Sequence, residues 1–143
     1  MVKEHQLTGM AGEFLVAGKL FKMGLQVSVT LGNAKAIDLF AHNPETGKNF
    51  NIQVKTLRKA NCFDLDANKI EEEYIYVFVI LDGNDPVENE RYFLVDGNNL
   101  KKKKNIFFGA SLKSSRTTVN IGPLKEYENK WEKFFKKGIE NEF

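Results

Sequence analysis

Cysteine, histidine and proline are scarce in this chain of 143 residues, and each scarcity excludes something. A single cysteine, Cys62, has nothing to pair with inside the chain, and one Cys with two His cannot assemble a four-ligand zinc site. With three prolines and no internal repeat, Pro/Ser-rich linker or low-complexity tract, the sequence reads as one domain over 1–143. Long apolar runs are missing too. The longest, Tyr74 to Leu81, falls far short of the roughly 20 residues a bilayer span requires, and MVKEHQLTGMAGEF at the start holds no apolar core of signal-peptide length. A cytoplasmic location without membrane attachment is therefore expected. Neither sign of charge is in large excess, since 21 Lys and Arg against 19 Asp and Glu leave +2. So small a sum does not by itself indicate a nucleic-acid partner, although a basic face and an acidic cluster would cancel in it.

What is present is ordinary globular material, 42% hydrophobic and 28% charged, enough for a single core. Thr8 is placed to cap a first helix reaching about Met23, with Gly24 as its left-handed stop. Met10, Phe14, Ala17 and Phe21 recur at helical spacing with Leu20 beside them, while Lys19 and Lys22 fall on the far side. Strands are expected over Gln26 to Leu31, Ala36 to His42 and Asn49 to Leu57, the last two joined as a hairpin by the turn residues 43–48. Arg58 to Glu72 reads as irregular, with at most short helical or strand pieces. Tyr74 to Leu81 is continuously apolar and β-prone, the mark of a central strand covered on both faces. A turn at Asp82 to Pro86, a strand from Arg91 to Val95, a short helix near Asn98 to Lys104 and an edge strand within Arg116 to Ile121 follow. Pro123 then opens a last helix with the stripe Leu124, Tyr127, Trp131, Phe134 and Phe135, ending at Gly138. This order predicts an α/β fold, a mixed β-sheet flanked by helices.

The informative residues are polar groups where the pattern expects apolar ones. Glu13 lies on the apolar helix face, three residues after Met10 and four before Ala17. A carboxylate there is costly unless a cation or a base compensates it, although the macrodipole also favours an acid near a helix start. Asp38 interrupts Ile37-Asp-Leu-Phe-Ala41, and Asp is a poor strand former unless the position is a solvated edge. Alternation, with a hairpin symmetric about its turn, sets Asp38 opposite Gln53 and puts Lys55 on the same face. Directly opposed Cβ atoms lie roughly 5 Å apart, near enough for two side-chain oxygens to share one cation. A hard divalent ion, Mg2+ or Mn2+, would take oxygens from Asp38, the Gln53 amide and the Val54 backbone carbonyl. Glu13 would complete the shell or hold a second ion through water. Such a site suits phosphodiester hydrolysis, with Lys55, kept protonated by the carboxylates, orienting the water or stabilising the developing charge.

At these residues a family likeness appears. Glu13, Ile37-Asp38-Leu39 and Ile52-Gln53-Val54-Lys55 resemble the PD-(D/E)XK nuclease superfamily, whose shared core is helix, three strands, helix and strand. Gly9-Met-Ala-Gly-Glu13-Phe-Leu-Val-Ala17, with Gln53-Val-Lys55-Thr56, is similar to small prokaryotic members related to Holliday-junction resolvases and restriction-type endonucleases. The likeness covers roughly residues 8–95. It implies a restriction-endonuclease-like fold, metal binding at Asp38 and the Gln53 position, support from Glu13 and transition-state stabilisation by Lys55. It also implies cleavage of nucleic acid, DNA in preference to RNA. Two departures stand out: Ala36-Ile37 replaces a common Pro before the aspartate, and Gln53 replaces the usual Glu or Asp, which lowers the charge of the site. Two rival readings follow, a catalytically silent nucleic-acid-binding domain of the same fold and an interaction or regulatory module. Thr56, Arg58 and Lys59 continue the strand toward flanking phosphates. Lys101, Lys102, Lys103 and Lys104, with Lys113 and Arg116, either guide a polyanion or form a solvated face. His5 and His42 have no partner at ligand spacing, although alternation puts His42 on the Asp38 face, and Asp64 and Asp66 read as loop residues. The outer aromatics of the last helix, with Phe143 beyond, offer a homodimer contact that would supply two sites for a duplex.

Overall fold

A computed structural model describes residues 3–30 and 37–135 of the chain. Helix α1 (Glu4–Lys22) ends as its sequence requires: Gly24 takes φ +93°, and the N–H groups of Gly24 and Leu25 donate to Phe21 and Leu20 carbonyls at 2.9 and 3.0 Å. This is a Schellman stop. The helix starts earlier than Thr8, with the Lys3 N–H donating to the Gln6 side chain at 3.2 Å. Thr8 is no cap; it is buried, and its Oγ1 accepts from Arg58 Nε at 2.9 Å.

Among the described residues seven strands follow. β1 (Gln26–Val29), β2 (Leu39–His42), β3 (Asn49–Leu57), β5 (Tyr74–Ile80) and β6 (Arg91–Asp96) make one sheet in the order β1-β2-β3-β5-β6. Only the β3–β5 pair is parallel, so the sheet is mixed as expected. β5 is the central buried strand that its unbroken apolar run predicts. β4 (Phe63–Asp64) and β7 (Thr118–Val119) form a separate two-stranded ribbon. Asp64 is thus a strand residue rather than a loop residue, and the late edge strand joins β4 instead of the main sheet. Leu31 and Ala36, the expected ends of β1 and β2, lie outside the described residues.

The sheet carries a core on each face. One packs α1 through Val16, Ala17 and Leu20 against Leu39, Ile52, Val54, Val77 and Leu94. The other packs Tyr76, Phe78, Phe93 and Val95 under α2 (Gly97–Lys102), α3 (Lys104–Phe108) and α4 (Ile121–Leu124). α1 is rotated from the expected phase. Met10, Phe14 and Phe21 face outward at 44%, 52% and 55% exposure, while Gly12 faces the sheet. The reason is close approach: a Cβ at Gly12 would stand 1.8 Å from Thr56 Oγ1. The smallest side chain, not the most apolar stripe, decides which face meets β3.

The last expected helix is also divided. α4 gives way to a single 3-10 turn, and α5 (Trp131–Phe134) begins only after a bend. At the bend Arg91 holds Glu128 by two bonds of 3.0 Å, and Asn129, at φ +57°, donates its N–H to Tyr92 O at 2.9 Å. The continuous stripe therefore serves two cores: Leu124 and Tyr127 join the α2–α3 side, and Trp131, Phe134 and Phe135 the α1 side. Tyr127 and Phe135 are buried, while Trp131 and Phe134 stay partly exposed; Gly138 and Phe143 lie outside the described residues. Among the described residues no helix is long and apolar enough to cross a membrane.

Candidate active site

The head of the β2–β3 hairpin is where polar side chains gather. Leu39 pairs with Ile52, and carrying that register one residue further puts Asp38 opposite Gln53, as alternation predicts. Asp38 N–H donates to Ile52 O at 2.9 Å. Its carboxylate takes the place of the next ladder bond, with Oδ2 accepting from Val54 N–H at 2.7 Å. The end of β1 secures the segment: Thr30 N–H donates to Asp38 O at 3.0 Å and Thr30 Oγ1 to Ile37 O at 2.8 Å. Asp38 is thus aimed by three strands at once.

Three charged groups meet around it. Glu13, half-buried at mid-α1, has its carboxyl pushed up from 4.5 to about 7, first by burial and then by the negative charge of Asp38. Burial raises Asp38 as well, while the Val54 N–H and the Lys55 ammonium pull it down. Lys55 and Gln53 are half-buried on the opposite face of β3 from Ile52 and Val54, the face that carries Tyr76 and Phe78 on β5. Two like charges held in partial burial without full compensation form a place where a cation is favoured. The donor set is all oxygen, as a hard divalent ion prefers: two carboxylates, the Gln53 amide and the Val54 carbonyl. Among the described residues no three His, Cys, Asp or Glu side chains cluster closely enough to hold a metal, so the amide and the backbone would have to complete the shell.

The supporting residues are sorted differently from expectation. Thr56 Oγ1 is buried under Gly12 without a hydrogen-bond partner, closed to any phosphate. Arg58 spends Nε on Thr8 and Nη1 on Asn84, 2.9 Å each, and ties α1 to the 82–86 turn. Lys59 is exposed beside Gly83. The run Lys101 to Lys104 is split between α2 and α3, and Lys101 lies 3.8 Å from Glu72 just before β5. That is the opposite end of β5 from Phe78, the register partner of Lys55. Arg116 does come close, because it pairs with Asp64, whose carboxyl is lowered by Arg116 and also by Lys55. Lys55, Asp64, Asp66, Arg116 and Thr117 line a cleft of about 340 Å3. Lys113 is exposed in the 3-10 turn Gly109–Lys113 and does not line it. Asp64 is a residue the sequence reading missed. The signal was there: Phe63, Leu65 and Ala67 are buried alternately with exposed Cys62, Asp64 and Asp66, a period of two. His42 Nδ1 sits 2.6 Å from Asn49 Oδ1 at the turn end of the hairpin, and His5 is exposed in the first turn of α1.

The α/β fold, a mixed five-stranded sheet flanked by helices, is of the endonuclease-like type. A solved structure that shares it is the bacterial homing endonuclease I-Ssp6803I, with a TM-score of 0.60 and 15% identity over 99% of this chain and 98% of that one. No protein-family model and no curated protein matches the chain.

Proposed function

We propose that this chain is a divalent-metal-dependent nuclease that hydrolyses phosphodiester bonds of DNA, a member of the PD-(D/E)XK superfamily with Gln53 in a position usually acidic. The observation that carries the reading is Asp38 at the head of the hairpin between two charged groups, Glu13, whose carboxyl its charge helps to raise, and Lys55, whose charge pulls its own carboxyl down. The endonuclease fold shared with I-Ssp6803I supports DNA as the substrate. Asp38 and Gln53 would hold Mg2+ or Mn2+, with Glu13 and the Val54 carbonyl completing the shell. The bound ion supplies a polarised phosphate and an acidified water. Asp38 stays fixed through its bond to Val54 N–H. Lys55, from the adjoining strand position, neutralises the charge that builds on the phosphate oxygens. Arg116 lines the Lys55 cleft and would meet a neighbouring phosphate, with Lys113 a further candidate contact.

The test is a cleavage assay on plasmid, linear, single-stranded and branched DNA with magnesium or manganese, repeated with EDTA. Metal-dependent cleavage lost in Lys55→Ala is expected. A second reading, a silent DNA-binding domain, is favoured by neutral Gln53 and by the lack of three clustered acids among the described residues. It would be recognised by DNA binding with no cleavage in either wild type or Gln53→Glu.

A further inference from the structure

The outward face of α1 is apolar without need. Leu7, Met10, Phe14 and Phe21 are 47%, 44%, 52% and 55% exposed, and their spacings of three, four and seven put them on one stripe. Lone exposed hydrophobics are ordinary, but four large ones aligned over four turns are not.

We propose that this stripe pairs with the same stripe of a second copy of the chain, antiparallel, about a two-fold axis at Phe14. The sequence is self-complementary about that residue. Phe14 meets its own equivalent, Leu7 meets Phe21 of the second copy, and Met10 meets Gly18. Gly18 is exposed, and nothing lies within 4 Å of where its Cβ would stand, so it leaves a notch for the Met10 side chain. The flanking charges select the same partner. Glu4 and Lys22, both exposed, are separated by about five whole helical turns and so lie on one line beside the stripe. In an antiparallel two-fold pair like flanks meet, which sets Glu4 of each copy against Lys22 of the other, twice. The Glu4 carboxylate is free enough to turn, since its contact with Arg58 is 3.8 Å long and its side chain is 80% exposed. A parallel two-fold pair would instead bring opposite flanks together and leave Glu4 and Lys22 of the two copies on opposite sides of the seam, unpaired. Glu13 lies on the opposite flank from Glu4 and Lys22, so both acid pairs open toward the same side of the dimer. The pairing itself does not rest on the nuclease reading.

The experiment is sedimentation equilibrium of the full-length chain from low to high micromolar concentration. A mass of roughly twice 16.3 kDa is expected at the upper end. Phe14→Lys, which sets two like charges face to face on the axis, should return it to one chain with an unchanged circular-dichroism spectrum. Glu4→Lys and Lys22→Glu should each weaken association by about tenfold, and the double variant should recover it. That recovery distinguishes this antiparallel seam from any other apolar contact. A wild type monomeric throughout overturns the proposal, as does a dimer indifferent to Phe14→Lys or unrescued by the charge swap. A wild type that dimerises only when residues 136–143 are removed also overturns it, because the chain's own end would then be the occupant. Loss of DNA cleavage with the dimer intact would count against the nuclease reading alone.

Discussion

Two sets of charges in this fold are built on opposite terms. At the edge of β6, Arg91 and Glu128 have opposite signs, lie near the surface and form two aligned bonds of 3.0 Å, and the arginine holds the Glu128 carboxyl below its ordinary range. The pair fastens the bend that splits the closing segment between two cores. At the hairpin head Glu13 and Asp38 have the same sign, are half-buried, and are both raised. Asp38 stands in for a ladder bond by accepting from Val54 N–H, and the burial of both acids subtracts from stability at neutral pH. Paired charges fasten the chain; a like-charged pair kept at a cost in stability is what the proposed cation site would account for.

The comparison is broken most sharply by Lys55→Ala. If Lys55 acts only on charge that develops in the transition state, cleavage should slow by roughly 100- to 1000-fold while DNA affinity changes little, measured by single-turnover kinetics and a binding titration. Equal losses in rate and affinity would make Lys55 a phosphate anchor instead.

Acidity separates the two regions next. The folded chain keeps a proton on Glu13 up to about 7, against 4.5 for the ordinary group. Its stability is therefore full below about 4.5 and declines as pH rises toward and through 7. Glu128 has the reverse sign: its lowered carboxyl contributes above the ordinary carboxylate range, and that contribution is lost as pH falls through its depressed value. Thermal melts of the metal-free chain from about pH 5 to about pH 8 should show a decline worth about 1–2 kcal/mol, discounted for partial solvent screening. Glu13→Gln should flatten it. A decline that persists in Glu13→Gln would assign it to another group.

The smallest effect belongs to the fastened pair. Glu128→Ala should cost about 0.5–1 kcal/mol by denaturant titration, since exposed ion pairs contribute little even when well aligned. A loss of several kcal/mol would mean that the bend depends on the ion pair rather than on the Asn129 N–H bond to Tyr92.

The placement of Asp38 opposite Gln53 in the candidate site was legible because period-two alternation is a strict rule. A hairpin whose turn is marked by Asn43, Pro44 and Gly47 has a register, and that register alone sets Asp38 opposite Gln53. The phase of α1 was not legible, because Gly12 carries no hydrophobic signal and the contact that orients the helix is a glycine against Thr56 on a strand 44 positions away. Of the stripe read as core-facing, Ala17 and Leu20 are buried while Met10, Phe14 and Phe21 face outward. The closing helix was misread for a related reason: Tyr127 and Trp131 share a helical face, but they belong to cores on opposite sides of the sheet, and only the hold of Arg91 on Glu128 reveals the break. Lys101 to Lys104 lie near the other end of β5 because sequence proximity to Lys113 and Arg116 says nothing about which end of a strand a helix follows.

The central claim is that Glu13 and Asp38 form a divalent-cation site. It is tested most directly by calorimetric titration of Mn2+ into the metal-free chain near pH 7. Wild type should bind at one site, with buffer-dependent heat from the proton that Glu13 gives up, a heat absent in Glu13→Gln. Asp38→Asn should bind more weakly than the roughly 10-fold that loss of mere outer-shell support costs. Equal affinity in wild type and Asp38→Asn would contradict the account.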